Sequence, residues 1–380
     1  YEIAACLVGS EMCIRDSYML NAIKNSAKAC MIALAGACFA FTGCDSVIYD
    51  KGDCVASYNL VSFVYDYNMS YADAFVPKVS RVSLFVFDRK SGRLVKRVDA
   101  DHSQLDENNR LAIEVEPGSY TLLVWGGDHD ESFDIPAGKP GESRIEDFHA
   151  YLRREDHNGV ARSTHDLAPL FHGMIDVDLP YASPSVPHYV TVPLKKDTNV
   201  VRVVLQQLSG NPLDIDDFNF EITDSNGWLN HDNTLRDDET IHYDPWRLYS
   251  GTVDINSDPT DLPGTATPSA MPGSRAVLGA TLAEFTTSRL TTETDPILHI
   301  TRKSDNRTVL KINVRDYAML VMGAHNKKMT PQEYLDRQDE YNMTFFLDKD
   351  YQWVSSIVII NDWRIIRNIT PVSYTHLRAH

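Results

Sequence analysis

Cysteine, basic residues and long apolar runs are all scarce in this chain, and each scarcity removes a class of function. The six cysteines are Cys6, Cys13, Cys30, Cys38, Cys44 and Cys54, so everything beyond residue 54 is free of them. That stretch can form no disulfide, and an exported form of the chain must be held by its core alone. Lys and Arg number 36 against 53 Asp and Glu, a net charge of −17 over 380 residues. This excludes nucleic acid as a partner, because phosphate backbones are bound by clustered Lys and Arg. It equally excludes a polybasic membrane patch. The apolar run Ala29–Phe41 is shorter than the roughly 20 residues that cross a bilayer.

The usual signatures of catalysis are missing too. The chain has no His-Glu-x-x-His, no Gly-x-Ser-x-Gly elbow and no phosphate-binding glycine loop. His165, Asp166 and His172 could be assembled into a metal or hydrolase site, but no further ligand stands at metal-like spacing. They are expected to be a loop histidine and a strand-edge histidine. Asp254, Asn256 and Asp258 begin like a calcium loop, yet Pro259 takes the position that needs glycine and Thr265 the one that needs glutamate. Asp128–Glu131 reads as a charged turn. No catalytic, cofactor-binding or metal-ligating residue is therefore expected, and the protein is not expected to be an enzyme.

What the chain does contain begins at Met19. Lys24 and Lys28 precede the apolar run, and Phe41-Thr-Gly-Cys44 closes it. A basic start, a short apolar stretch and small residues at a cut site make a secretory signal, not a membrane span. The Gly-Cys ending resembles a bacterial lipobox, which implies cleavage before Cys44 and lipid on Cys44. Residues 19–43 are thus expected to be a lipoprotein signal peptide and 44–57 a lipidated tether. Residues 1–18 and 371–380 resemble translated sequencing adaptor and are set aside.

The remainder is long enough for two packed domains. Val61, Phe63, Tyr65 and Tyr67 share one face of a predicted strand, and Val79–Phe87 is apolar on both faces, as a covered strand would be. Leu111, Ile113 and Val115 alternate, then Pro117-Gly118, then Tyr120, Leu122 and Val124, which predicts a hairpin with glycine at φ > 0. A short helix is predicted over Ile145–Arg154. Pro180–Pro187 reads as a linker between an N-terminal domain, 58–187, and a C-terminal domain, 188–370. Strands follow at Tyr189–Leu194, Asn199–Leu205 and Phe218–Ile222, then a long surface loop over Leu229–Ser274. Thr330-Pro-Gln-Glu333 predicts a capping box opening a helix over Glu333–Tyr341. Met343–Leu347 and Trp353–Ile360 are the last long strands.

Several of these segments resemble FimB-type fimbrial anchor lipoproteins of type V pili. They are the export signal with Cys44-Asp-Ser-Val-Ile-Tyr-Asp50, the stretch Val192-Pro-Leu-Lys-Lys-Asp-Thr-Asn-Val-Val-Arg-Val-Val204, Ala283–Leu290, Gln332–Tyr341 with Phe345-Phe346, and Ile359-Ile-Asn-Asp-Trp363. The resemblance implies a mainly β fold of two tandem transthyretin-like β-sandwich domains with a few short helices. It implies a subunit lipid-anchored at the cell outer membrane that holds the fimbria and influences its attachment and length. Its expected partners are the fimbrial shaft subunits, joined by strand complementation, and the outer membrane through the N-terminal lipid. A surface glycan-binding lipoprotein is the alternative, and it should gather exposed Trp or Tyr on one face; a tip subunit of the same pilus class is another.

Overall fold

A computed structural model describes residues 57–209, 211–254, 277–323 and 328–366. In the first half the strands are β1 (Ser57–Val64), β2 (Arg81–Asp88), β3 (Leu94–Asp101), β4 (Arg110–Val115), β5 (Gly118–Gly126), β6 (Phe133–Asp134), β7 (His149–Leu152), β8 (Glu155–Asp156), β9 (Ala161–Ser163), β10 (Phe171–Leu179), β11 (His188–Pro193) and β12 (Lys195–Lys196). The second half supplies β13 (Thr198–Gln207), β14 (Phe218–Asp224), β15 (Trp228–Asn230), β16 (Ile241–Tyr243), β17 (Arg247–Asp254), β18 (Val277–Ser288), β19 (Ile297–Arg302), β20 (Arg307–Asn313), β21 (Glu340–Leu347), β22 (Trp353–Ile360) and β23 (Trp363–Ile366). Three short helices are α1 (Phe75–Lys78), α2 (Val314–Met319) and α3 (Pro331–Arg337).

The first sandwich packs the sheet β11-β1-β4 against β12-β10-β5-β2-β3. Strand side chains alternate between faces, so Val61 and Phe63, Leu111 and Ile113, Leu84 and Val86, and Leu122 and Val124 meet in one core. The intervening residues of β2 and β5 turn the other way. Phe85, Phe87, Leu123 and Trp125 enter a second core, where the Phe85 ring meets Phe148 edge-on at 4.7 Å between centroids. The doubly apolar pattern of β2 is explained by this burial on both faces.

β4 and β5 do not form the expected hairpin. β4 pairs with β1, while β5 pairs with β2 and β10, so Pro117-Gly118 carries the chain from one sheet to the other. Gly118 is not at positive φ. Its need is for space: a Cβ there would stand 3.2 Å from the Tyr120 ring, whose hydroxyl donates back to the Glu116 carbonyl at 2.7 Å. Alternation reports the face a residue takes and is silent about which strand lies beside it.

The second sandwich packs β17-β18-β13-β21-β22-β23 against β20-β19-β14-β16-β9-β8. Val201, Val203, Phe220, Ile222, Phe285, Leu298, Met343 and Phe345 fill its interior. The halves interlock. β9, from the first half, pairs in parallel with β16, and β15, from the second, pairs with β7. Arg154 clasps Asp238 with two hydrogen bonds of 3.0 and 2.9 Å, both side chains buried, and Arg162 pairs with Asp244 beside the β9–β16 ladder. β11 follows the proline-rich stretch yet runs parallel to β1, so the first sheet extends to Pro193.

Three predicted elements change. Over Ile145–Arg154 only Ile145–Asp147 forms a helical turn, of 3-10 type, because Phe148, Ala150 and Leu152 are buried at strand period. The loop expected over Leu229–Ser274 contains β15 to β17 as far as Asp254; residues 255–276 lie outside the described residues. The helix expected to reach Tyr341 ends at Arg337, and β21 begins at Glu340, opposite Val200 of β13. The Thr330 hydroxyl accepts from the Glu333 amide at 3.1 Å, as expected of the N-cap. The box is only half made, since the Glu333 carboxylate pairs with Arg337 at 2.9 Å.

Candidate attachment site

Cys44, expected to carry the lipid, lies outside the described residues, as do Cys54 and the segment 367–380. Described chain begins with β1, thirteen residues after Cys44.

The residues singled out for possible chemistry are apart. His172 is buried on β10, where a ring nitrogen bonds the His231 carbonyl at 2.8 Å and Trp125 packs at 4.7 Å. Burial pushes its pKa down to about 4, so it is the neutral ring that donates. His165 is held locally, its Nδ1 3.2 Å from the Thr164 hydroxyl, and the Asp166 carboxylate accepts from the Thr286 hydroxyl. Asp128–Glu131 is a turn in which Arg81 lies between Asp128 and Asp130, with His129 buried and likewise pushed down to about 4 by burial. Asp254 closes β17, and Asn256 and Asp258 lie outside the described residues. Among the described residues no group of three or more His, Cys, Asp or Glu is placed to hold a metal.

What sequence reasoning missed is a buried charged knot between the two halves. Arg289, just past β18, takes the Asp336 carboxylate of α3 at 2.7 and 3.3 Å and donates to the Asn233 carbonyl at 2.9 Å. Lys195 of β12 reaches the same carboxylate at 2.9 Å, and Gln332 donates to it at 2.8 Å. Asp197, at the start of β13, is fully buried and accepts from Asn233 at 2.9 Å. Burial pushes its carboxyl up to about 6, against the pull of Arg289. Alongside, the Tyr65 hydroxyl donates to Asp339 at 2.7 Å, and the Arg337 guanidinium lies over Tyr67 and Tyr71 at 4.0 and 4.5 Å. The sequence did carry a signal. Lys195-Lys-Asp197 interrupts an otherwise apolar strand pair, and buried charges are found paired.

β23 stands at one end of the strand order of the C-terminal sheet and β17 at the other. Trp363 on β23 is 60% exposed. Near β17, Val204, Tyr249, Ala280 and Leu282 line an apolar groove of about 280 Å³ with Arg202 and Glu284 beside it. The exposed aromatics are dispersed: Tyr71 faces α3, Tyr181 and Tyr189 flank the start of β11, Tyr249 lies on β17 and Trp363 on β23. Among the described residues these exposed aromatics are thus spread over several elements.

Two sandwiches with few short helices, knotted by buried charge, define a mainly β protein built of β-sandwiches. A Bacteroides thetaiotaomicron structure described as a candidate polysaccharide-binding protein is similar at 30% identity and a TM-score of 0.67, over 82% of this chain and 99% of that one. A candidate adhesin of the same organism is similar at 28% identity and 0.68, over 84% and 100%. The fimbrial anchor protein Mfa2 of Porphyromonas gingivalis shares the fold at 19% identity and 0.56, over 82% and 99%. No curated protein sequence matches. The chain belongs to the family of fimbrillin-A associated anchor proteins Mfa1 and Mfa2, whose model matches residues 50–369.

Proposed function

We propose that this chain is an outer-membrane lipoprotein that anchors a type V fimbria to the cell surface and thereby influences its attachment and length. Its membership of the anchor family carries this reading, together with the Gly43-Cys44 cut site that stands ahead of the folded body. Lipid on Cys44 fixes the amino end. One acyl chain binds a membrane only marginally, whereas several hold it stably. The C-terminal half then faces the shaft, and the end of its six-stranded sheet, β22 with β23, takes a shaft subunit by strand complementation. In that mode backbone hydrogen bonds supply affinity and alternate side chains supply specificity.

Two experiments test the two ends. Cys44→Ser should remove the lipid label and release the protein from the membrane fraction or leave it uncleaved; unchanged detergent partitioning would sink the lipid reading. Deleting residues beyond Trp363 and co-expressing the shaft protein should shed shaft protein into the medium while the anchor stays folded. Fimbriae retained at normal length would move the grip elsewhere, with the β17 end of the sheet next in line.

A further inference from the structure

On one side of the start of β1 lie large side chains that the fold leaves exposed. The Tyr58 amide donates to the Ala182 carbonyl at 2.9 Å, and β11 begins opposite Asn59. The stretch 180–189 is therefore fastened beside the point where the chain enters its first strand. Within it Ser183 and Val186 bond each other both ways, at 3.2 and 2.9 Å, and close a turn with Pro184 and Ser185 at its tip. Tyr181, Val186 and Tyr189 are 65%, 71% and 57% exposed. Ala182 between them is buried, so the loop is docked and its large side chains point away from the body.

Four features fit this patch to a lipid surface. Residues 180–193 contain no Asp or Glu in a chain that has 53, so this segment adds no acidic charge of its own, and the exposed Glu114 stands across β1 from it, opposite Tyr58. Arg110 lies over the Tyr189 ring at 4.7 Å and places a positive charge at the patch. Tyrosine has an apolar body and a polar tip and settles where hydrocarbon meets water. Pro180, Pro184 and Pro187 fix three backbone angles in advance, which reduces the entropy that ordering at a surface would cost.

We infer that the Tyr181–Tyr189 loop is a second membrane contact, seated in the lipid interface, and that it sets the orientation of the anchor on the bilayer. The inference rests on the lipid-anchor reading. A lipid at one point of the chain sets no orientation by itself; a second contact on the folded body does.

The test uses full-length lipidated protein in vesicles of phosphatidylethanolamine and phosphatidylglycerol, with lipids brominated on their acyl chains as quenchers. Val186→Trp places a reporter at the turn, and Leu248→Trp places a control on β17. The Val186→Trp emission should shift to the blue and lose intensity with brominated lipid, while the control does neither. Protein that floats with the vesicles yet leaves the Val186→Trp emission unshifted and unquenched overturns the second contact and spares the anchor. Protein that does not float refutes the anchor and this inference with it. A shift that appears only after purified shaft subunit is added assigns the patch to protein and overturns the inference as well.

Discussion

Removing Asp336 is the sharpest test of the charged knot. Its carboxylate is 2% exposed and neutralises Arg289, itself 9% exposed, while also accepting from Lys195 and Gln332. Asp336→Ala leaves the Arg289 guanidinium inside the protein with Asp197 as its nearest acid at 4.0 Å. Breaking a buried pair from one side costs about 3–5 kcal/mol, because the partner charge stays buried, here with only the more distant Asp197 to offset it. Replacing both sides by apolar residues of similar volume is far milder. Asp336→Leu with Arg289→Met should therefore cost less than the two single changes added together. Urea unfolding followed by fluorescence reads this directly, as a lower midpoint with an unchanged slope. A loss under about 1 kcal/mol for Asp336→Ala, or a double variant as costly as the sum, would refute the view that these charges depend on each other.

Thr330→Ala should cost about 1 kcal/mol in the same assay, since the hydroxyl caps α3. Glu333→Ala should cost only about 0.3–0.5 kcal/mol, because its carboxylate makes an i,i+4 pair with Arg337 and leaves the cap intact. The His172 pKa lies at about 4 in the folded state against 6.5 for the free side chain. Its contribution to stability is whole above pH 6.5 and declines as pH falls from 6.5 to 4, by about 3 kcal/mol in all. His172→Gln should remove that part of the acid dependence; a variant with the wild-type slope between pH 6.5 and 4 would show that other groups carry it.

The fold was legible where pattern alone decides it. β2 announced burial on both faces, β4 announced its inward residues, and the Thr330 cap announced α3. Partners were not legible. The pattern over Leu111–Val124 fits a hairpin and a sheet-to-sheet crossing equally well, because period two assigns faces and leaves neighbours open. β11 looked like the opening of the second half and joined the first, since a strand beside β1 at residue 188 is a long-range choice made by packing. Expectation also held that a chain without disulfides must rely on its core alone. Arg154–Asp238 and Arg289–Asp336 add charge buried between distant segments, and such pairs cannot be matched from sequence when their members stand 84 and 47 residues apart.

The strand order also decides how the proposed anchor would carry load. Tension from a lipid at Cys44 would enter β1 at its amino end. It leaves the first sheet at the carboxyl end of β11, which runs on into β12 and β13. β1 and β11 are parallel, paired from Asn59↔His188 to Val64↔Pro193, so this pull slides one strand along the other and stresses their hydrogen bonds together. Pulling between Ser57 and Val115 instead opens the antiparallel β1–β4 pair from the end where those two residues face each other, one bond at a time. Single-molecule force spectroscopy should therefore record a higher rupture force along the first axis than along the second. Equal forces on the two axes would mean that the parallel pairing of β1 with β11 bears no load, and that the resistance resides in the charged knot at α3.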